Sequence, residues 1–204
     1  MPSTTTEFIV FLIDDDPAIL KALSRLLRAT GYQTKAYQSA EAFLNEHDAS
    51  VPGCAVLDHA MLGLNGLDVQ EALARQDIHR PVIFLTGRGT IAEGIKAMKA
   101  GAVDYLLKPV DKVELLSAIR SAEERDKTQR DFEARNKVVL QRLAKLTPRE
   151  RETLELVTKG LLNKQIANVM GATERTIKEH RGRVFKKMGV KTLAELVRMT
   201  SDYF

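Results

Sequence analysis

Along its first 120 residues the chain alternates short apolar runs with longer stretches whose apolar positions recur every three or four residues. FIVFLI (8–13), CAVLD (54–58), PVIFL (81–85) and VDYLL (103–107) read as strands, with a weaker strand at 33–37. Continuous apolar runs of this length suit strands covered on both faces. Between the first two strands Ile19, Leu23, Leu26 and Leu27 share one helical face, in a helix that ends at Gly31. Further helices are predicted at 39–47, 65–75 and 90–100, the last closed by Gly101, and from 111 onward. Five strand–helix units in series predict an α/β fold: a parallel sheet with helices on both faces and right-handed crossovers.

The pattern changes after residue 110. From Val110 to Thr147 there is neither Pro nor Gly, and SAEERDKTQRDFEARNKVVLQRL (121–143) is densely charged with a sparse apolar stripe. This predicts that the last helix of the first domain runs on as a helical linker; a broken, partly disordered tether is the alternative. Phe132, Val139, Leu140 and Leu143 offer a weak coiled-coil seam. Thr147-Pro148 then restarts the chain, with Thr147 as N-cap, Pro148 at N1 and Glu150 at N3. The remainder reads helical to about residue 200, broken at Gly160, Gly171 and Gly189, which gives a small all-α domain of about four helices.

Composition adds two facts. The 204 residues hold one cysteine, Cys54, in an apolar run, so an intramolecular disulfide is excluded and a buried core thiol is expected. No stretch approaches the ~20 apolar residues of a membrane span, and MPSTTTEF lacks the basic-then-apolar order of a signal peptide. A cytoplasmic protein is the natural expectation. The net charge of +4 hides an asymmetry: residues 1–120 carry −3, residues 121–145 carry +2 and residues 146–204 carry +5. An acidic front and a basic back point to two jobs, with an anionic partner for the back.

Doubly wound sheets bind ligands at the carboxyl ends of their strands. At those ends stand Asp14 and Asp15 after the first strand, Asp58 after the third, Thr86 after the fourth and Lys108 after the fifth. Asp16, before Pro17, reads as a helix N-cap. The other carboxylates repel one another and need a cation. Hard oxygen ligands of this kind suit Mg2+. Lys108 is then available for a further negative group. A phosphoryl group on a carboxylate fits the set, with Mg2+ and Lys108 taking charge and the Thr86 hydroxyl and backbone N–H groups taking oxygens. An aspartyl phosphatase is the rival, since Asp14 and Asp16 have its spacing, but Ala18 and the capping role of Asp16 argue against it. His47, His59, His79 and His180 lack metal-ligand spacing, and TGRGT (86–90) lacks the GK[ST] ending of a P-loop.

FLIDDD, VLDHAM, FLTG and KAGAVDYLLKP resemble the receiver domain of two-component response regulators, over residues 7–120. That resemblance implies a flavodoxin-like sheet of order 2-1-3-4-5. It implies Asp58 as phosphoacceptor, and Mg2+ held by Asp15 directly, by Asp14 mostly through water, by Asp58 and by the backbone carbonyl of Ala60. It also implies Thr86 and Lys108 as phosphoryl ligands, Thr86 and Tyr105 as a switch pair, and a cis bond before Pro109. One departure is plain: Met61-Leu62 stands where the family usually has Met-Pro, which loosens a turn and removes no ligand.

In the basic end, NKQIANVM (163–170), Gly171 and the helix opened by Thr173 have helix-turn-helix form. Ile177, Val184, Phe185 and Met188 are expected to face inward, and Arg175, Lys178, Glu179, Arg183, Lys186 and Lys187 outward. Such a face suits the phosphates beside a major groove, and a solvated amphipathic helix would show the same pattern. Residues 144–200 resemble the LuxR/NarL/FixJ-type DNA-binding domain, with matching spacing throughout. Carried over, Lys178, Glu179 and His180 lie where the recognition helix meets bases and backbone, and Thr173, Arg175 and Arg183 are placed for phosphates. Glu179 is open between accepting from a cytosine and pairing with Lys178 or Arg175. Gly182 replaces a common basic residue. The segment 192–200 resembles a dimerisation helix, with Leu193, Leu196 and Val197 facing a partner unless buried.

Together the two resemblances imply a cytoplasmic transcriptional response regulator rather than an enzyme. A sensor histidine kinase and double-stranded promoter DNA are its expected partners, a homodimer its active form, and slow self-dephosphorylation its only catalysis. A phosphorylation-independent DNA binder that uses its receiver for dimerisation is the alternative. The expected layout is receiver 7–120, charged linker 121–143 and DNA-binding domain 144–204.

Overall fold

The computed structural model describes residues 7–87 and 90–204. The segment MPSTTT and the Arg88-Gly89 pair of TGRGT lie outside the described residues. The chain divides into two compact units, one ending at Arg130 and the other beginning at Asp131.

The first unit is built on β1 (Ile9–Ile13), α1 (Pro17–Arg28), β2 (Gln33–Tyr37), α2 (Ala40–Glu46), β3 (Gly53–Asp58), α3 (Gly66–Arg75), β4 (Val82–Thr86), α4 (Ile91–Lys99), β5 (Asp104–Leu107) and the start of α5 (Lys112–Leu143). The five strands form one parallel sheet in the order β2-β1-β3-β4-β5, as expected. Alternate residues of each strand serve opposite layers. Val10, Leu12, Val56, Ile83 and Leu85 pack with Leu20, Leu23 and Leu27 of α1 and Leu115 and Ile119 of α5. Phe11, Ile13, Ala55, Leu57 and Phe84 pack on the other face with Phe43, Val69, Leu73 and Ala97 from α2, α3 and α4. β3 is buried along its whole length, whereas the edge strand β2 is mostly exposed. Cys54 is a buried free thiol in this core, its pKa pushed up by burial.

Local sequence sets the helix ends. Asp16 caps α1 by accepting from the Ala18 N–H at 2.7 Å. Asn65 with Asp68 and Thr90 with Glu93 form capping boxes at α3 and α4. The charged segment is helical throughout, within the 32 residues of α5. Within the first unit, Asp126 of α5 is buried and paired with Arg130 at 2.8 Å. The Arg130 guanidinium also donates to the carbonyls of Ala49, Ser50 and Val51.

The second unit contains α6 (Pro148–Thr158), α7 (Asn163–Met170), α8 (Glu174–Met188) and α9 (Leu193–Thr200) around a core of Leu154, Val157, Ile166, Ile177, Val184, Met188 and Leu196. Val139 and Leu143 of α5 join this core, while Phe132 and Leu140 are exposed. The proposed seam is therefore not continuous: Phe132, Val139 and Leu143, seven and four residues apart, share one side of the helix, but only the last two reach this core, and Leu140, next to Val139, turns about 100° away. Thr147 caps α6 with Glu150 in a capping box, as predicted. Gly189, at φ +63°, ends α8 in the left-handed region, and a Cβ there would lie 3.1 Å from the Arg142 guanidinium. Leu196 is fully buried, so of the three expected partner-facing residues only Leu193 and Val197 are exposed.

Candidate functional site

The parallel register places chemistry at one sheet edge. Ile13 pairs with Leu57, and the next residues of β1 and β3 are Asp14 and Asp58. Asp58 pairs with Leu85, one residue before Thr86, and Thr86 pairs with Leu107, one before Lys108. The Lys108 N–H donates to the Thr86 carbonyl at 2.7 Å, and the Lys108–Pro109 peptide is cis.

Lys108 Nζ lies 2.6 Å from Asp14 Oδ2 and 2.9 Å from Asp58 Oδ1. Asp14, Asp58 and Thr86 are all buried, whereas Asp15 and Ala60 are exposed. Asp14 also accepts from the Asp16 N–H at 2.9 Å, and Asp15 accepts from the Leu62 N–H at 3.4 Å. Burial raises the Asp58 pKa, and the charges of Asp14 and Asp15 push it the same way, against the opposing pull of Lys108. Burial works against the Lys108 ammonium, but its hydrogen bonds to Asp14 and Asp58 prevail and raise its pKa. The lysine is thus the counter-charge that holds two of the three carboxylates together.

Oxygens of Asp14, Asp15 and Asp58 lie within 4.8 Å of one another. Opposite ligands of an octahedral hard cation stand about 4.2 Å apart, twice a metal–oxygen distance of about 2.1 Å. Small side-chain rotations close that gap, so this donor set fits a metal ion. The expected switch pair shares a face: Tyr105 pairs with Phe84, two residues before Thr86 on β4. The Tyr105 hydroxyl is buried and has no hydrogen-bond partner among the described residues.

In the second unit α7 and α8 are joined through Gly171, at φ +62°, and Thr173 caps α8 by accepting from the Thr176 N–H at 3.2 Å. Thr173, Arg175, Lys178, Glu179 and Arg183 are exposed. Arg175 lies 3.5 Å from Glu179, the pairing left open by the sequence. His180 is half-buried, and its Nδ1 is enclosed without a partner among the described residues. Lys187 corrects the outward face expected of α8: it turns back and donates to Glu150 of α6 at 2.5 Å. Its long stem reaches across to a buried carboxylate that needs a counter-charge.

The family models agree with this geometry. Residues 10–120 match the response regulator receiver domain, and residues 144–200 match the bacterial regulatory proteins of the luxR family. Nodulation protein W of Bradyrhizobium diazoefficiens is 42% identical over 196 residues, covering 96% of this chain and 86% of that protein. The transcriptional regulatory protein FixJ of Azorhizobium caulinodans is 40% identical over 193 residues, covering 93% and 90%. The solved low-resolution structure of the response regulator StyR aligns with a TM-score of 0.87 at 36% identity, covering 97% of this chain and all of that one. The chain belongs to the two-component response regulators that join a receiver to a LuxR-type DNA-binding domain. Its function is phosphorylation-controlled regulation of transcription, which implies a cognate sensor kinase and DNA as partners; members of this family are regulators and not enzymes in the ordinary sense.

The sequence pattern did not join Glu93 to His59, the residue after Asp58; their side chains come within 3.4 Å of each other. The signal was half present: Thr90 and Glu93 have capping-box spacing, but nothing local ties Glu93 to a residue 34 positions earlier.

Proposed function

We propose that Asp58 accepts a phosphoryl group from a sensor histidine kinase, within a receiver spanning 7–120, and that a linker over 121–143 joins it to a DNA-binding domain over 144–204. The observation that carries this is Lys108 Nζ between Asp14 and Asp58, with Thr86 at the next strand end. A carboxylate oxygen of Asp58 attacks phosphorus. The new acyl–phosphate bond forms as the bond from phosphorus to the donor's nitrogen breaks, and the electron pair leaves with the donor imidazole. Lys108 and the Thr86 hydroxyl take the equatorial oxygens. Mg2+, held by Asp14, Asp15, Asp58 and the Ala60 carbonyl, supplies charge neutralisation when bound. Asp15 is exposed and its hydrogen bond from the Leu62 N–H is long, at 3.4 Å, so turning toward a metal costs it little, which supports its role as a direct ligand. Water attack on the acyl phosphate gives slow self-dephosphorylation.

The added charge is read by Thr86 and Tyr105 and shifts the chain toward a DNA-binding homodimer, for which Leu193 and Val197 are available. Thr173, Arg175 and Arg183 meet phosphates, while Lys178, Glu179 and His180 meet base edges and backbone. A cytoplasmic location goes with this reading. No described helix is long and apolar enough to cross a membrane.

The test is incubation of the full chain with acetyl phosphate and Mg2+, followed by intact mass. One added phosphoryl group is expected, absent in Asp58→Asn and strongly reduced in Lys108→Ala. A mass gain that survives Asp58→Asn, or no gain in the native chain, overturns the assignment.

A further inference from the structure

His59, the residue after Asp58, is held on both sides of its backbone. Its N–H donates to the Leu85 carbonyl at 2.8 Å, and its carbonyl accepts from the Gly66 N–H at 3.3 Å. The side chain is mostly buried. The ring meets Tyr105 and Phe84 edge-on, with centroids 5.7 and 6.1 Å apart. Its Nδ1 is buried and has no hydrogen-bond partner among the described residues, whereas Nε2 stands 3.4 Å from Glu93 Oε1. Of the two ring nitrogens, Nε2 is the one that faces Glu93, so a proton there has the carboxylate as its acceptor.

Glu93 has a second task. Its Oε2 accepts from the backbone N–H and the hydroxyl of Thr90, both at 2.8 Å, which closes the N-terminus of α4. One carboxylate thus joins the cap of α4 to the residue next to Asp58. Tyr105 is enclosed by the same group. It packs on His59 and Phe84, and a Cβ on Gly94 of α4 would lie 3.3 Å from its ring.

We propose that His59 is a positioning residue that carries a change at Asp58 to α4 and Tyr105, through the contact of its Nε2–H with Glu93. The proposal rests on Asp58 being the phosphoacceptor. The physical reason is that α4 is attached to the site at two places. One is the chain leading from Thr86. The other is Glu93, which fixes the first turn of α4 to the loop after β3. When the end of β4 moves toward a phosphoryl oxygen on Asp58, that second attachment makes the first turn of α4 follow the Asp58 loop. Without it, α4 has one attachment fewer to the site, and its equilibrium responds less to the charge there.

Two substitutions separate the contact from mere packing. His59→Phe keeps an aromatic ring beside Tyr105 and loses the donor. His59→Gln loses the ring and keeps an N–H within reach of Glu93. The full chain is treated with acetyl phosphate and Mg2+, phosphoryl uptake is read by intact mass, and amide hydrogen exchange is followed in α4 before and after. All three proteins are expected to take up one phosphoryl group. The change in exchange in α4 is expected to be about fivefold smaller in His59→Phe than in the native chain, and largely restored in His59→Gln. A native-like response in His59→Phe overturns the proposal. So does a response lost in His59→Gln but kept in His59→Phe, or one that is absent in a phosphorylated native chain. Failure of all three proteins to gain a phosphoryl group overturns the phosphoacceptor reading itself, and the proposal with it.

Discussion

Lys187 of α8 donates to Glu150 of α6 at 2.5 Å, and the carboxylate it meets is only 2% exposed. Glu150 also accepts from the Thr147 N–H at 2.8 Å, so one side chain both caps α6 and ties it to α8. The Lys187 hydrogen bond, outweighing burial, holds the Glu150 carboxyl below its ordinary value of 4.5. A carboxylate with a depressed folded pKa contributes stability above its unfolded pKa and loses it as pH falls through the folded one. Lys187→Met is therefore expected to destabilise the second unit by about 1–3 kcal/mol at pH 7. The deficit is expected to shrink below about pH 4, as Glu150 protonates in both proteins. Amide exchange in α6 of the full chain measures both; a gap that is equal at pH 3 and pH 7 contradicts this account.

Arg130 and Asp126 lie one turn apart on α5, and Asp126 is almost wholly buried. The guanidinium spends its other donors on the Ala49, Ser50 and Val51 carbonyls. Arg130→Ala leaves a buried charge at Asp126 and removes a donor from three carbonyls, of which Val51 keeps the Arg80 guanidinium and Ala49 and Ser50 are exposed. Its expected cost is about 3 kcal/mol in urea unfolding of the first unit. Asp126→Asn added to Arg130→Ala should recover part of that loss, because the amide removes the charge. A double variant no more stable than Arg130→Ala would place the cost in the carbonyl contacts alone.

The sheet was legible because its signals are local. Buried strands read as apolar runs, Asp16-Pro17 and Thr147-Pro148 announce helix starts, and Gly31 and Gly101, at φ +94°, mark helix ends. The acidic edge was legible because parallel topology brings strand ends together whatever their separation in the chain. Lys108 and Asp14 are 94 positions apart and still meet. The misread residues are those whose partner lies outside any local window. Lys187 looks outward by helical phase, yet its stem spans 37 positions of sequence to Glu150. Leu193, Leu196 and Val197 share a helical face, but only the packing of α9 shows that Leu196 is in the core. His180 sits on the edge of the exposed face, where phase cannot decide between groove and interior.

Gly66 opens α3 directly under the phosphoacceptor. A Cβ there would stand 2.8 Å from the Asp58 carbonyl oxygen and 2.7 Å from Phe84 Cε1. Gly66→Ala is expected to push the end of β3 out of place. It should cost about 1–3 kcal/mol and slow phosphoryl uptake severalfold. Gly182 is the control, since a Cβ on it meets nothing within 4 Å. Gly182→Ala should stabilise α8 by about 0.5–1 kcal/mol through helix propensity and leave uptake unchanged. Thermal unfolding and a phosphorylation time course read both; uptake by Gly66→Ala at the native rate would mean that the loop yields without moving Asp58.

On α8 the exposed cations are not equivalent. Arg175 already has Glu179 at 3.5 Å, so its charge is partly neutralised before any phosphate arrives. Binding DNA through Arg175 has to exchange one anion for another, which releases fewer counterions than a contact made by a free cation. Lys178→Ala and Arg183→Ala are each expected to lower the slope of log affinity against log salt by about 0.9. Arg175→Ala should lower it by clearly less, and Glu179→Gln should raise affinity across all sequences by freeing Arg175. If Glu179 instead accepts from a cytosine, Glu179→Gln weakens the promoter site relative to unrelated duplexes by about 1–3 kcal/mol. Fluorescence anisotropy on promoter and scrambled duplexes over a salt series decides between the two. Equal slope losses for Arg175→Ala and Lys178→Ala would mean that the ion pair opens at no cost when DNA binds.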